Sequence, residues 1–270
     1  MKYYLYNAKA NNGIKPNTPE SIELIDAVDM DYRAFFDRLA PEDEVVLVGG
    51  DGTLNYFINA MKGCEIRHNV YLYGSGTGND FLTDIGHKAG DEVLINQYLV
   101  NLPTVRVNGI ESLFINNMGF GIDGYCCEAA DEIRAKTPNK EINYAGIAIK
   151  GLLFTRRSTN ATVTVDGKEY KFKHVWLAPT MKGRYYGGGI KMAPDQDRNS
   201  DHLTVVVYHS LSRLVSLVNF PKVFEGTHVK KTDMVSVITG NKIHVKFDRP
   251  YAAQIDGETV LNVYEYEAEL

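Results

Sequence analysis

The chain has 270 residues, 44% hydrophobic and 23% charged, with a formal net charge of −5 and a pI near 5.8. That length fills a core and suits two domains, while the acidic balance argues against a nucleic-acid binder, which carries a basic surface. Three cysteines, two of them adjacent (Cys126, Cys127), make no disulfide framework, and the absence of Cys-x-x-Cys and His-Glu-x-x-His spacings argues against a zinc site.

The start, Met1-Lys2-Tyr3-Tyr4-Leu5-Tyr6, lacks a signal peptide's apolar region, so a cytoplasmic location is expected. Tyr3–Asn7 reads as a strand, Ala8–Pro19 as a polar loop, Ile22–Val28 as a strand, and Tyr32–Leu39 as a helix stopping before Pro41. Val45–Val48 is an unbroken apolar run, suited to a parallel strand covered on both faces. Gly49-Gly50-Asp51-Gly52 then turns the chain into a helix, Leu54–Met61, which Asp51 or Thr53 can cap. A strand at Val70–Tyr73 leads to a second turn, Gly74-Ser75-Gly76-Thr77-Gly78-Asn79-Asp80, followed by helices at Phe81–Ile85 and Val93–Val100. Repeated βα units build a parallel sheet, and ligands bind such sheets at the carboxyl ends of the strands, where both turns lie.

After Pro103 short strands dominate: Val105–Val107 and Leu113–Asn116 around an Asn108-Gly109 hairpin signal, then Thr162–Val165, Tyr170–Lys173, Val175–Ala178, Leu203–Tyr208, Val235–Thr239, Lys242–Phe247 and Asn262–Glu267. Two helices interrupt them, near Tyr125–Ala135 and Tyr144–Phe154. The predicted fold is therefore an α/β N-terminal domain with a parallel sheet, residues 1–103, and a β-rich antiparallel sandwich, residues 104–270.

Neither glycine turn is a Walker A loop, because no Gly-Lys-Ser/Thr follows, and Asn79 stands where a dinucleotide fingerprint needs its third glycine. Either turn alone suits a tight strand-to-helix connection. Two such turns, each with a threonine and an aspartate beside its glycines, favour phosphate binding, since a helix N-terminus offers free N–H groups and a favourable dipole to an anion.

Gly49-Gly50-Asp51-Gly52-Thr53-Leu54-Asn55, Gly76-Thr77-Gly78-Asn79-Asp80-Phe81 and the late Asp256-Gly257-Glu258 resemble, in order, the soluble diacylglycerol kinase catalytic family. That family includes bacterial lipid kinases, sphingosine kinases and ceramide kinases. The resemblance implies ATP and Mg²⁺ as cofactors. It places nucleotide contacts at Asn7 and Lys9, in a loop where Ala8 replaces the customary proline. It places further contacts at Gly49, Gly50, Asp51, Gly52, Thr53, Leu54 and Asn55, and at Gly76, Thr77 and Asn79. It assigns Asp51, Asp80 and Asp123 to a catalytic magnesium network. A structural magnesium is implied at the Asp201 side chain with the backbone oxygens of Arg198 and Leu203, although Ser200 and His202 depart from the family pattern.

A lipid hydroxyl attacking a γ-phosphate needs a proton acceptor. On the resemblance Glu258 is that base and Asp256 orients the hydroxyl or a metal-bound water, the reverse assignment staying open. If the strand through Ala252–Ile255 continues, both carboxylates share one face. A plain Asp-Gly hairpin with a solvated glutamate is the alternative. An interdomain cleft would bring the hydroxyl to the phosphate.

The expected partner is a lipid with a free hydroxyl, reached by peripheral contact with a membrane surface, with no nucleic acid and a homodimer left open. Tyr144–Phe154, ending near Arg156 and Arg157, reads as an interfacial anchor or a core-packing helix. Two rival functions remain: an NAD kinase-like nucleotide kinase, and a nucleotide-binding regulator with weak or no catalysis, suggested by the altered ATP loop.

Overall fold

Val45–Val48, the run expected to be covered on both faces, lies at the centre of a sheet with 0–1% of its surface exposed. The computed structural model describes residues 1–8, 15–16, 18–19, 21–76, 78–137, 142–151, 158–210 and 212–270. The chain forms two units, Met1–Leu102 and Pro103–Leu270.

The first unit runs β1 (Lys2–Tyr6), β2 (Leu24–Asp26), α1 (Tyr32–Phe36), β3 (Glu44–Gly49), α2 (Asp51–Ala60), β4 (Asn69–Gly74), α3 (Asp80–Asp84) and β5 (Glu92–Leu94). Its sheet has the order β2-β1-β3-β4-β5, parallel except for β5. Asp31 caps α1 by accepting the Ala34 N–H at 3.1 Å, which turns Tyr32 and Phe36 onto Phe57 of α2. Val93–Val100 is not the expected helix. Glu92 accepts from Lys2 and Tyr4 and draws β5 along the sheet edge. Asn96 then accepts the Val70 N–H and donates to His68 O, both at 2.8 Å, which leaves only a 3₁₀ turn over Asn96–Tyr98.

The second unit runs β6 (Thr104–Val107), β7 (Ile110–Leu113), β8 (Asn117–Phe120), α4 (Ile122–Lys136), α5 (Tyr144–Lys150), β9 (Thr159–Val165), β10 (Lys168–Leu177), β11 (Thr180–Met181), β12 (Tyr185–Tyr186), β13 (Ile190–Lys191), β14 (Leu203–His209), α6 (Arg213–Asn219), α7 (Lys222–Glu225), β15 (Val235–Gly240), β16 (Lys242–Ile255) and β17 (Glu258–Glu269). The main sheet is antiparallel throughout. Strand β16 joins its two layers: Ile243–Phe247 pair with β9, and after a bulged stretch Ala253–Ile255 pair with β8. Between the layers Phe120 stacks on Phe247 with centroids 4.0 Å apart, and the Tyr266 hydroxyl donates to Ala178 O at 2.9 Å. Gly124 lets α4 lie directly on β16, because a Cβ there would stand 2.0 Å from Ala252 O.

Asn108-Gly109 and Asp166-Gly167 both have positive φ and make hairpin turns, the first leading into Ile110–Leu113 rather than Leu113–Asn116. Helix α5 contributes the buried Ala148 to the core cluster that includes Trp176, while Tyr144 and Ile149 are exposed, and residues 152–157, which include Arg156 and Arg157, lie outside the described residues.

Candidate active site

In the first unit the two glycine turns touch backbone to backbone. A Cβ on Gly50 would lie 2.2 Å from Gly78 O, and one on Gly76 would lie 2.6 Å from both Cα and N of Gly50. The Asp51 N–H donates to Gly78 O at 3.1 Å and the Ser75 N–H to Gly49 O at 3.0 Å, which locks the turns together. Gly49 is excluded from carrying a side chain by Thr53, whose Oγ1 would lie 2.1 Å from the added Cβ.

Gly52 differs. It sits in the first turn of α2, exposed and without a positive φ, and a Cβ there meets nothing within 4 Å among the described residues. Packing does not demand glycine at this position. With the Asp51 N–H engaged, the helix N-terminus presents the amides of Gly52 and Thr53, the groups that bind anions in such turns.

Asp51 does not cap its own helix, whose N-cap is Gly50. Its Oδ2 accepts the Asp80 N–H at 2.8 Å and its Oδ1 the Phe81 N–H at 2.9 Å, so it caps α3 and joins the two turns a third time. Asp80 is itself buried in the first turn of α3. Asn79 donates to Gly76 O at 2.7 Å. Leu54 is fully buried and Asn55 nearly so, on the core face of α2. Asn7 directly follows β1, while Lys9 and Thr77 lie outside the described residues. Among the described residues no three acidic, His or Cys side chains gather to hold a metal.

In the second unit Asp256 and Gly257 form a hairpin turn, with φ of 46° and 98°, between β16 and β17. The strand does not continue, so the two carboxylates do not share a face in the way expected. Asp256 Oδ2 accepts the Ile115 N–H at 2.6 Å, and its Oδ1 accepts those of Asn116 and Asn117 at 2.8 and 2.9 Å. Asp256 is thus the anchor of the β7–β8 connection, which is why Leu113–Asn116 is not a continuous strand. Glu258 faces solvent beside this anchor. Asp123, in the first turn of α4, is buried, and burial pushes its carboxyl up to about 7 despite the Tyr186 hydroxyl donating to Oδ1 at 2.6 Å. Its Oδ2 has no hydrogen-bond partner among the described residues.

The loop assigned a structural magnesium is tied down by two buried side chains, Gln196 and Lys182. Gln196 Nε2 donates to Asp197 O at 3.1 Å and His202 O at 3.0 Å, and Lys182 Nζ, itself buried, donates to Ser200 O at 2.9 Å. Arg198 is buried and reaches Ile115 O and Asn116 Oδ1. Leu203 is buried on β14, whereas the Asp201 side chain is 98% exposed beside His202. Gln196 and Lys182 tie the turn at Asp197 O, Ser200 O and His202 O, acceptors other than the Asp201 side chain and the backbone oxygens of Arg198 and Leu203 to which the resemblance assigns a magnesium. Lys182→Met should cost about 1–3 kcal/mol through the lost charged hydrogen bond, read as a fall in the melting temperature. Lys182, Gln196 and Tyr186 lie in no motif; only the turns they tie together mark them.

Comparison with known proteins supplies two family matches. Residues 19–105 match the diacylglycerol kinase catalytic domain, and residues 116–264 match the YegS C-terminal NAD kinase beta sandwich-like domain. A diacylglycerol kinase of Mycobacterium tuberculosis is 28% identical over 212 residues, covering 76% of this chain and 67% of that one. A diacylglycerol kinase of Bacillus subtilis is 26% identical over 246 residues, covering 83% and 76%. The crystal structure of a diacylglycerol kinase from Bacillus anthracis superposes with a TM-score of 0.68 at 20% identity, over 99% of this chain and 93% of that one, which supports the fold.

Proposed function

The chain belongs to the family in which a diacylglycerol kinase catalytic domain precedes a YegS-type β-sandwich domain, and on that premise we propose that it is an ATP-dependent lipid kinase. It transfers the γ-phosphoryl group to the hydroxyl of a lipid such as diacylglycerol. The supporting observation is the space beside Gly52: a glycine that neither packing nor backbone conformation requires, at a helix N-terminus, between turns that glycine contacts weld together. Such a site suits a phosphate lying directly on backbone amides.

In this reading Gly49–Gly52 and Gly76–Asn79 hold the phosphates, and Asp51 and Asp80 are the carboxylates that would face the nucleotide's magnesium. The ion, when bound, neutralises charge on the transferring group. Glu258 takes the proton of the acceptor hydroxyl, its carboxylate being the accessible one of the late acidic pair. Asp256 is a positioning residue, holding the turn that carries Glu258.

Two alanine substitutions test the nucleotide site. Gly52→Ala should leave the melting temperature unchanged or slightly raised, because alanine is the better helix former, and weaken Mg-ATP binding at least tenfold by calorimetry. Gly76→Ala should instead lower the melting temperature by several degrees, since its Cβ strikes the Gly50 backbone. Undiminished ATP binding by folded Gly52→Ala protein would refute phosphate placement at this turn. Running the assay with NAD as phosphoryl acceptor separates the nucleotide-kinase rival.

A further inference from the structure

Helix α6 is inside out. Its polar Ser216 is buried, with 1% of its surface exposed, while Leu214, Val215 and Val218 stand 68%, 43% and 74% exposed. An amphipathic surface helix does the reverse. Ser216 is bound back to Ser212 O at 3.1 Å, which satisfies its hydroxyl inside the helix, and Ser212 caps the helix. Beyond Pro221, α7 adds the exposed Phe224, held edge-on to Phe220 at 6.0 Å.

Charge accompanies this apolar surface. The stretch Ser212–Lys231 contains Arg213, Lys222, Lys230 and Lys231 against Glu225 alone, in a chain whose net charge is −5. Lys230 and Lys231 are exposed, and the Lys222 ammonium reaches Asn219 Oδ1 at 2.8 Å, at the end of α6. Apolar side chains beside lysines match an anionic bilayer surface, which takes the first below its headgroups and the second among them. A second copy of the chain matches less well: two copies would bring two lysine-rich patches together, and four side chains fall short of the roughly 800 Å² per partner of a stable interface.

We propose that the α6–α7 face, led by Leu214, Val218 and Phe224, is the surface by which this protein docks on anionic membranes. The proposal rests on the lipid-kinase reading for its purpose, and its test is independent of turnover. The full chain is sedimented with vesicles of phosphatidylcholine alone and of phosphatidylcholine with phosphatidylglycerol. Wild type should bind the second far more than the first. Leu214→Glu with Val218→Glu should reduce binding at least tenfold, with an unchanged melting temperature because both side chains are exposed. Lys230→Glu with Lys231→Glu should reduce binding at low salt and remove most of its salt dependence. All variants should phosphorylate detergent-dispersed acceptor at the wild-type rate. Vesicle binding that survives the Leu214/Val218 change, no binding by wild type, or a dimer in sedimentation velocity that this change dissolves would each overturn the proposal. Vesicle binding by a protein that phosphorylates no lipid would leave it standing and refute the kinase reading.

Discussion

Glu258→Gln should lower kcat by about 10²–10⁴, the usual contribution of a positioned general base, while Mg-ATP binding stays near wild type. An alcohol holds its proton at neutral pH, and a carboxylate beside it lets that proton leave as the bond to phosphorus forms. Asp256 cannot easily substitute, because its two oxygens already accept three backbone N–H groups. The substituted glutamine side chain would keep the size and polarity of the original and lose only the basic oxygen. The checks are steady-state turnover and calorimetric nucleotide affinity on the same preparation. Normal turnover by the variant would reject Glu258 as the base, and joint loss of turnover and ATP binding would reject a role confined to the acceptor.

Asp256→Asn should be one of the most destabilising single changes in the second unit. Asparagine also tolerates positive φ, so the turn itself is not strained by the replacement. Its amide nitrogen, however, must face N–H donors: turned one way it opposes Ile115, turned the other way Asn116 and Asn117. At least one buried donor loses its acceptor and the remaining bonds lose their charge, at a cost of about 3 kcal/mol or more. For a unit of this size that corresponds to roughly 6–12 °C. Trp176, the single tryptophan, is buried in the second unit, so its fluorescence follows the relevant melting. A shift under one degree would contradict the anchoring role.

Much of the fold was legible because it follows from local chemistry. The Val45–Val48 run, the hairpin pairs Asn108-Gly109 and Asp166-Gly167, and the two glycine turns declare themselves over a few residues. What was not legible depends on partners far away in the chain. Asp256 and the amides it binds are separated by 139–141 positions, and nothing near Asp256 announces three donors waiting. Lys182 and Gln196 belong to no motif, so the hydrogen bonds by which they hold the turn at Asp197, Ser200 and His202 carried no signal. Val93–Val100 has a helical pattern, yet Asn96 binds the backbone of His68 and Val70 and Glu92 the side chains of Lys2 and Tyr4. Strand β16 passes through Asp248-Arg249-Pro250, a sequence that reads as a stop, because a bulge absorbs it between two different neighbours. Periodicity finds an apolar helix face and does not say whether that face looks inward, which is why α6 carried no signal.

The most direct measurement incubates the protein with γ-labelled ATP, magnesium and a total lipid extract, and separates the organic phase. The account predicts label in a lipid phosphomonoester, lost with Glu258→Gln and reduced with Gly52→Ala. Label confined to water-soluble product, or no transfer despite tight ATP binding, would contradict it.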